Sequence, residues 1–201
     1  MFVSFEGLDG SGKSTQAELL AEALEKDGRQ VVAAREPGGT PLGERVRELL
    51  LDGEPMSPWA EAALFTASRA ELVDKVIGPK LAEGADVVVD RFLDSSLVYQ
   101  GIARGLGIER VLALNLDAIR GILPDLTFLL LLDVDEAVKR SAGARDRIER
   151  EGEGFMTLVD NGYRQLAGLF PQRIVAIQGE APMHDIAKEV LGHVRERAGA
   201  G

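Results

Sequence analysis

The amino-acid sequence predicts an α/β fold in which a five-stranded parallel sheet is flanked by helices on both faces. Two observations predict this fold: the chain contains five short, near-continuous apolar segments, and helical patterns separate them. Strands that are apolar on both sides belong to sheets with both faces buried, and parallel strands need crossover connections between them. A chain of 201 residues can form one core, so we expect a single domain over residues 1–201.

Each predicted strand is a short apolar run with polar or turn-forming residues at its ends. In the third strand, Asp86 and Asp90 enclose three valines, as in a strand whose middle is buried. The longest apolar run, Phe128 to Leu132 in the fourth strand, is about a quarter of the length that a bilayer span requires. The five strands are expected at residues 2–5, 31–34, 86–90, 126–133 and 174–177.

Helical spacing of apolar residues predicts the helices. Leu20 and Leu24 lie one turn apart in the first helix, and Gly28 is placed to end it. A charged segment at residues 141–154 holds three glycines and interrupts the helical patterns, so we predict a lid there, with an ordinary surface loop as the alternative. Helices are expected at residues 14–26, 42–51, 59–81, 108–121 and 185–197.

Composition restricts the classes of function. The net charge of −10 argues against a general polyanion binder, so we expect no nucleic-acid partner. The chain has no cysteine, which excludes disulfides and thiolate metal sites and fits a cytoplasmic protein. No apolar segment is long enough to span a bilayer and no secretory signal is visible, so we expect no membrane partner.

The most specific local signal is at residues 7–14, which read GLDGSGKS and match the pattern G-x-x-x-x-G-K-[ST] between a strand and a helix. Glycines permit turns that aim backbone N–H groups at one phosphate, and the helix N-terminus adds partial positive charge. The match predicts a P-loop NTPase-type three-layer fold that binds ATP or GTP, and no N-K-x-D motif supports a GTPase. The expected nucleotide site is Gly7, Leu8, Asp9, Gly10, Ser11, Gly12, Lys13 and Ser14.

Three arginines suggest a second phosphorylated ligand near the phosphate loop. Arg35 and Arg91 follow predicted strands, and Arg69 lies in the long helix. A surface salt bridge would explain any one of them alone. Ligands of parallel sheets bind at the carboxyl ends of the strands, and the guanidinium fork matches phosphate oxygens, which favours a shared cleft.

Four segments together resemble those of the thymidylate kinases. Besides the phosphate loop, residues 35–40 read REPGGT, residues 90–101 read DRFLDSSLVYQG and residues 146–149 read DRIE. They occur in the order and spacing of that family, and the resemblance extends from Phe2 to about Val190. It implies a homodimeric enzyme that transfers the ATP γ-phosphate to thymidine monophosphate (dTMP), with Mg²⁺ as cofactor.

The resemblance also implies roles for individual residues. Arg91, and to a lesser degree Arg35, would hold the acceptor phosphate, Phe65 would stack on the thymine ring, and Tyr99 would exclude a 2′-hydroxyl. Core packing stays the alternative for Phe65, and helix packing for Tyr99. Asp9 would contact the 3′-hydroxyl or the metal shell. Arg69 would contact a carbonyl group of the base, and Ser96 and Gln100 would line the base pocket. Glu36 and Pro37 would form the floor of the pocket. Ser14 and Asp90 would bind the metal.

The catalytic arginine is assigned to the lid. Ser11 is small, and relatives with a small residue there carry this arginine in the lid, where the present chain has Arg145 and Arg147. Arg145 is favoured, because Arg147 could instead pair with a lid carboxylate. The complete set of predicted catalytic residues is Lys13, Arg91, Arg145, Arg147 and Asp9.

Other functions remain open at this point. A deoxynucleoside kinase would need a carboxylate base for its neutral acceptor, and Glu36 or Asp90 could serve. Another nucleoside monophosphate kinase is possible on the phosphate loop alone. A non-catalytic nucleotide sensor is disfavoured by the intact Lys13, Ser14 and Arg91. The number of arginines favours an anionic acceptor.

Overall fold

A computed structural model describes residues 1–140 and 146–199. Its parallel sheet consists of β1 (Phe2–Gly7), β2 (Val31–Arg35), β3 (Asp86–Asp90), β4 (Leu126–Leu131) and β5 (Ile174–Gln178). The strand order is β2-β3-β1-β4-β5, with every neighbouring pair parallel. The predicted five-stranded parallel sheet is therefore confirmed, and β1, which leads into the phosphate loop, lies at its centre.

Helices cover both faces of the sheet. Two of them have side-chain caps that the sequence supplies: Thr40 accepts a hydrogen bond from the backbone of Gly43, and Ser57 accepts one from Ala60. No helix of the described residues is both long and apolar enough to cross a membrane. The helices are α1 (Lys13–Lys26), α2 (Pro41–Leu51), α3 (Pro58–Leu72), α4 (Gly78–Ala82), α5 (Leu93–Ser96), α6 (Ile108–Ala118), α7 (Val134–Arg140), α8 (Glu153–Leu169) and α9 (Met183–Gly199).

The sheet separates two apolar cores, because successive strand residues point to opposite faces. Val87 and Val89 belong to the core that is covered by α3, α6 and α8, whereas Val88 belongs to the core under α1 and α9. All three valines are completely buried. The resulting three layers hold the carboxyl ends of the strands at one edge, where the predicted ligands would bind.

Several stretches of helix differ from the prediction, and one of them is α7 (Val134–Arg140), for which no helix was expected. A π-helical turn, Val73–Ile77, joins α3 to α4 inside the long helix expected at residues 59–81. A second one, Leu97–Ala103, continues α5 through a segment for which no helix was expected. Helix α8 was also not predicted, and it begins within the segment expected to form the lid.

The predicted lid is only partly described. Ser141 to Arg145 lie outside the described residues. In the remainder, Glu149–Glu151 forms a short 3-10 helix, and Ile148 is buried. The segment from residue 146 onward is thus packed against the rest of the fold rather than extended over solvent.

Candidate active site

A cavity of about 300 Å³ opens beside the phosphate loop at the carboxyl edge of the sheet. Five residues of its lining were not among the predicted site residues: Arg47, Leu51, Ser95, Asp146 and Ile148. The predicted residues that line it are Asp9, Lys13, Ser14, Arg35, Glu36, Pro37, Phe65, Asp90, Arg91, Ser96, Tyr99 and Gln100.

The phosphate loop depends on glycine at the end of β1. Gly7 has a φ of +136°, and a Cβ there would lie 2.5 Å from the backbone oxygen of Leu130. Gly12 has a φ of +91° immediately before α1. The Nζ of Lys13 donates a hydrogen bond of 2.8 Å to the backbone oxygen of Leu8, and burial together with the charge of Arg91 lowers its pKa. The local sequence therefore fixes both the loop and the direction of its lysine.

Ser14 and Asp90 form a group that could hold a divalent cation. The Ser14 hydroxyl donates a hydrogen bond to Oδ2 of Asp90. The other carboxylate oxygen of Asp90 is buried and has no hydrogen-bond partner among the described residues. Mg²⁺ prefers oxygen ligands and retains several waters, so an alcohol and a carboxylate beside bound phosphates fit it.

Arg91 is the most connected cation of the cavity. Its Nη2 donates to Oδ1 of Asp9 at 2.7 Å, and its Nη1 donates to Ser95 Oγ and Tyr163 Oη, both at 3.1 Å. Burial favours the neutral form of Asp9, but the charges of Arg91 and Lys13 dominate and hold its pKa well below the usual range. Asp9 is therefore ionised and anchors both cations.

Arg35 and Arg47 stand at the more open side of the cavity. Arg35, at the end of β2, is 56% exposed and forms a 3.0 Å ion pair with Glu44. Arg47, on α2, donates a 2.9 Å hydrogen bond to the backbone oxygen of Pro37. Arg35 can turn toward an anion, since exposed ion pairs are weak.

Arg69 is held by protein acceptors on all sides. Its Nε and Nη2 lie 2.8 and 2.6 Å from one oxygen of Glu36, its Nη1 donates to Ser96 and Asn115, and its Nη2 also donates to the backbone oxygen of Phe92. The side chain is 1% exposed and does not line the cavity. The predicted contact of Arg69 with a base carbonyl would require one of these bonds to be exchanged, and it stays a prediction. The contacts in this structure support Glu36 and Ser96.

Glu36 remains a buried acid despite this ion pair. Burial raises its pKa to about 7, although the charge of Arg69 opposes the shift. Its second oxygen is buried without a hydrogen-bond partner among the described residues. The carboxyl group forms part of the cavity wall, as the predicted pocket floor requires.

Phe65 forms an apolar wall and Gln100 a polar wall at the deep end of the cavity. Phe65, on α3, is partly buried, lines the cavity and also packs on the core. Gln100 donates a 2.9 Å hydrogen bond from Nε2 to Glu61. Because a carboxylate only accepts hydrogen bonds, the amide of Gln100 presents its oxygen on the other side.

Tyr99 lies between the arginine and the aromatic residues of α8. Its ring centroid is 6.2 Å from that of Phe155 and 5.5 Å from the guanidinium carbon of Arg91. Its hydroxyl is buried and has no hydrogen-bond partner among the described residues. The packing role and the predicted sugar-side role are compatible, because the residue also lines the cavity.

Arg147 does not reach the phosphate loop. Its Nε donates to the backbone oxygen of Leu50 at 2.8 Å, its Nη2 lies 2.8 Å from Glu61, and only 8% of the side chain is exposed. Burial favours neutral Glu61, but bonds from Arg104, Gln100 and Arg147 lower the pKa of Glu61. The predicted place of Arg147 over the γ-phosphate stays a prediction, and in this structure its guanidinium is held by α2 and α3. Arg145 lies outside the described residues.

Comparison with known proteins agrees with this geometry. The family model described as thymidylate kinase matches residues 5–190. A thymidylate kinase of Caldanaerobacter subterraneus subsp. tengcongensis is 47% identical over 197 residues, which cover 97% of this chain and 95% of that protein. One of Pelotomaculum thermopropionicum is 49% identical over 201 residues, covering 97% of this chain and 93% of that protein.

The fold is similar to that of a solved structure as well. The crystal structure of thymidylate kinase from Ehrlichia chaffeensis superposes with a TM-score of 0.80 at 34% sequence identity, covering 97% of this chain and 98% of that one. The chain belongs to the thymidylate kinase family.

Proposed function

We propose that this chain transfers the γ-phosphate of ATP to dTMP, giving ADP and thymidine diphosphate. The observation that carries the proposal is the position of Arg91 in the same cavity as Lys13 of the phosphate loop. The hydrogen bonds of Arg91 with Ser95, Tyr163 and Asp9 use both Nη1 protons and one Nη2 proton, so Nε–H and the second Nη2–H stand outside these three bonds. Two parallel donors match two phosphate oxygens.

The chemistry requires little proton transfer. An acceptor phosphate has a second pKa of ~6, so its oxygen is a nucleophile near neutral pH without a general base. The protein must bring two anions together in line and neutralise charge on the transferring group. Lys13 would act on the β and γ phosphates, Arg91 on the acceptor phosphate, and Asp9 keeps these two cations from repelling each other.

Mg²⁺ is the cofactor that the site would take, held through Ser14 and Asp90. When bound, it supplies positive charge to the phosphate oxygens during transfer. The unpartnered oxygen of Asp90 supports this assignment.

The deep end of the cavity would take the nucleoside. Phe65 would stack on the base, Ser96 and Gln100 would meet its polar edge, and Tyr99 would occupy the space of a 2′-hydroxyl. Glu36 and Pro37 would form the floor, with Arg35 as a second, weaker contact to the acceptor phosphate. Their common place in one cavity lining supports these roles.

We assign the arginine that stabilises the transition state to Arg145, on the sequence resemblance and because the contacts of Arg147 are with α2 and α3. We further propose that residues 1–201 act as one nucleoside monophosphate kinase domain with a lid at residues 141–154.

A cytoplasmic homodimer is the assembly that we propose. Trp59 of α3 and Leu114 of α6 are 39% and 37% exposed, and apolar side chains on neighbouring helices supply material for a dimer face. Sedimentation of the purified protein would test this assembly.

The proposed reaction can be tested by coupled ADP release with Mg²⁺-ATP and one of three acceptors. We expect turnover with dTMP, little with thymidine, and background without acceptor. Faster turnover with thymidine would replace the proposal with a deoxynucleoside kinase. Equal or faster turnover with uridine or cytidine monophosphate would contradict the assignment of the base.

A further inference from the structure

Glu6 is a buried carboxylate behind the cavity to which the proposed function assigns no task. It lies at the end of β1, directly before the phosphate loop, and is 0% exposed. Its Oε1 accepts a 2.8 Å hydrogen bond from the backbone N–H of Phe92. Its Oε2 accepts two more, of 2.6 Å from the Ser95 hydroxyl and 2.9 Å from the Tyr163 hydroxyl. Burying a carboxylate is costly, so these contacts call for an explanation beyond packing.

The two hydroxyls connect Glu6 to Arg91. Ser95 and Tyr163 each have one proton and lie within hydrogen-bond distance of Glu6, and their oxygens are also 2.9 Å apart. At least one of the two protons therefore goes to Glu6, and the other goes to Glu6 or to the neighbouring hydroxyl. In either arrangement both oxygens keep a lone pair for the Nη1 protons of Arg91, at 3.1 Å in both cases.

We propose that Glu6 is a positioning residue for Arg91, acting through Ser95 and Tyr163. It keeps the protons of both hydroxyls directed away from the guanidinium, so that their oxygens accept from Nη1 and hold it in place. The remaining Nε and Nη2 protons are then directed toward the acceptor phosphate. This inference rests on the proposed function, because it deepens the role of Arg91 in that reaction.

The backbone conformation of Arg91 gives a second reason for a positioning residue. Arg91 is a non-glycine residue with a φ of +67°, a conformation that L-residues rarely adopt. Its side chain reaches the cavity from the end of β3, where only Asp9 contacts it on the phosphate side among the described residues. Ser95 of α5 and Tyr163 of α8 supply the opposite contacts, and Glu6 of β1 holds these two hydroxyls from behind.

The burial of Glu6 fits this task. Burial raises its pKa, with Asp94 adding to the shift, while the charge of Arg91 opposes it. No hydrogen bond joins Glu6 directly to Arg91 among the described residues, so the hydroxyls of Ser95 and Tyr163 make the hydrogen-bonded connection between them.

Glu6→Gln is the sharpest variant, because it keeps the shape and changes only the proton directions. If the glutamine oxygen accepts from Phe92, its Nε2 donates where Oε2 accepted. Because Nε2 cannot accept, the two hydroxyl protons lose Oε2 as their acceptor, and at most one of them can turn to the other hydroxyl. The remaining proton has no acceptor in the network, which disturbs the two oxygens that hold Nη1 of Arg91. We expect the Kd of dTMP, measured calorimetrically without ATP, to rise about tenfold or more, as for a lost charge-assisted contact. The Kd of thymidine, which has no phosphate, should stay within about twofold.

Two further variants separate this role from general loss of structure. Ser4→Ala is the matched control: it removes a buried hydroxyl from the same strand, where Ser4 contacts Thr127 and not Arg91. It should leave both Kd values within about twofold. Tyr163→Phe removes one of the two bridges and should give the same split between dTMP and thymidine, with a smaller factor, even if Glu6→Gln fails to fold.

A double-mutant cycle gives the decisive result. In the Arg91→Ala background, Glu6→Gln should have no further effect on dTMP binding, because the residue through which it acts is gone. An unchanged dTMP Kd in Glu6→Gln and Tyr163→Phe, an equal loss for thymidine, or full additivity in the cycle would overturn the inference. Failure of the wild-type protein to phosphorylate dTMP would instead overturn the proposed function and is scored separately, from the activity assay.

Discussion

The dipeptide Asp-Arg occurs at two places around the cavity, and both aspartates line it, whereas only one of the two arginines does. At the end of β3, Arg91 projects into the cavity and Asp90 contacts Ser14 of the phosphate loop. At the start of the D-R-I-E segment, Asp146 lines the cavity, while Arg147 turns away to Glu61 of α3.

The difference arises from the backbone and from distant partners. Arg91 is placed by the end of a central strand and a φ of +67°. Arg147 is placed by a 2.8 Å hydrogen bond from its own backbone N–H to Leu51 at the end of α2. Asp146 accepts hydrogen bonds from the backbone of Ile148 and Glu149, so it shapes the turn that follows. The same Asp-Arg dipeptide therefore has different contacts at the two places, because different elements hold it.

The largest effect on kcat should come from Arg145, the lid arginine to which transition-state stabilisation is assigned. An arginine that acts on a phosphoryl transfer contributes ~10³–10⁵ in rate, so Arg145→Ala should lower kcat by about 10³ or more. Steady-state assays with saturating ATP and dTMP would measure it. Arg150→Ala, an exposed arginine of the same segment, is the control and should change kcat by no more than about twofold. Equal effects of the two variants would contradict the assignment.

Lys13→Ala should have the next largest effect. Removing a preorganised cation from a developing charge costs ~10²–10³ in kcat. Lys26→Ala, at the other end of α1 and in an exposed pair with Glu22, should leave kcat unchanged. A Lys13→Ala enzyme that keeps kcat within about threefold of wild type would show that the loop is not the catalytic cradle.

Arg147→Ala should act on stability rather than on rate. Removing one partner of a buried ion pair leaves Glu61 with less compensation, so the free energy of unfolding should fall by about 3 kcal/mol. Urea denaturation would measure it, with Arg164→Ala, which breaks an exposed pair with Asp160, as a control expected to cost about 0.5 kcal/mol. A loss of kcat as large as that of Arg145→Ala would contradict this prediction and show that Arg147 stabilises the transition state.

Tyr99 should show the smallest effect, and it is an effect on selectivity. If the ring excludes a 2′-hydroxyl, Tyr99→Ala should narrow the gap in kcat/KM between dTMP and its ribonucleotide by about tenfold. Tyr99→Phe keeps the ring and removes a hydroxyl that has no partner among the described residues, so it should preserve the gap. If Tyr99→Phe and Tyr99→Ala both keep the wild-type ratio of kcat/KM between dTMP and its ribonucleotide, the role of Tyr99 is limited to packing.

The sequence predicts the parts of this molecule that depend on local chemistry. Apolar runs gave the five strands, and the glycine spacing from Gly7 to Gly12 gave the phosphate loop, because both are determined by nearby residues. Most predicted site residues line one cavity because the carboxyl ends of parallel strands meet at one edge.

The parts that escaped prediction depend on contacts between distant segments. Nothing near Arg147 indicates that Glu61, more than eighty residues earlier, would bind it. Arg69 has five N–H donors, and only the fold shows that protein acceptors engage its three nitrogens. Glu6 and Tyr163 are joined across 157 residues, and no periodicity or motif brings them together.

Binding of dTMP without ATP tests the comparison of the two dipeptides most directly. Calorimetric titration of Arg91→Ala and Arg147→Ala should separate them, because Arg91 lines the cavity and Arg147 does not. We expect the Kd of dTMP to rise about 10- to 100-fold in Arg91→Ala, as for lost charge-assisted hydrogen bonds, and to stay within about threefold in Arg147→Ala. A wild-type Kd in Arg91→Ala, or an equal loss in both variants, would contradict the account.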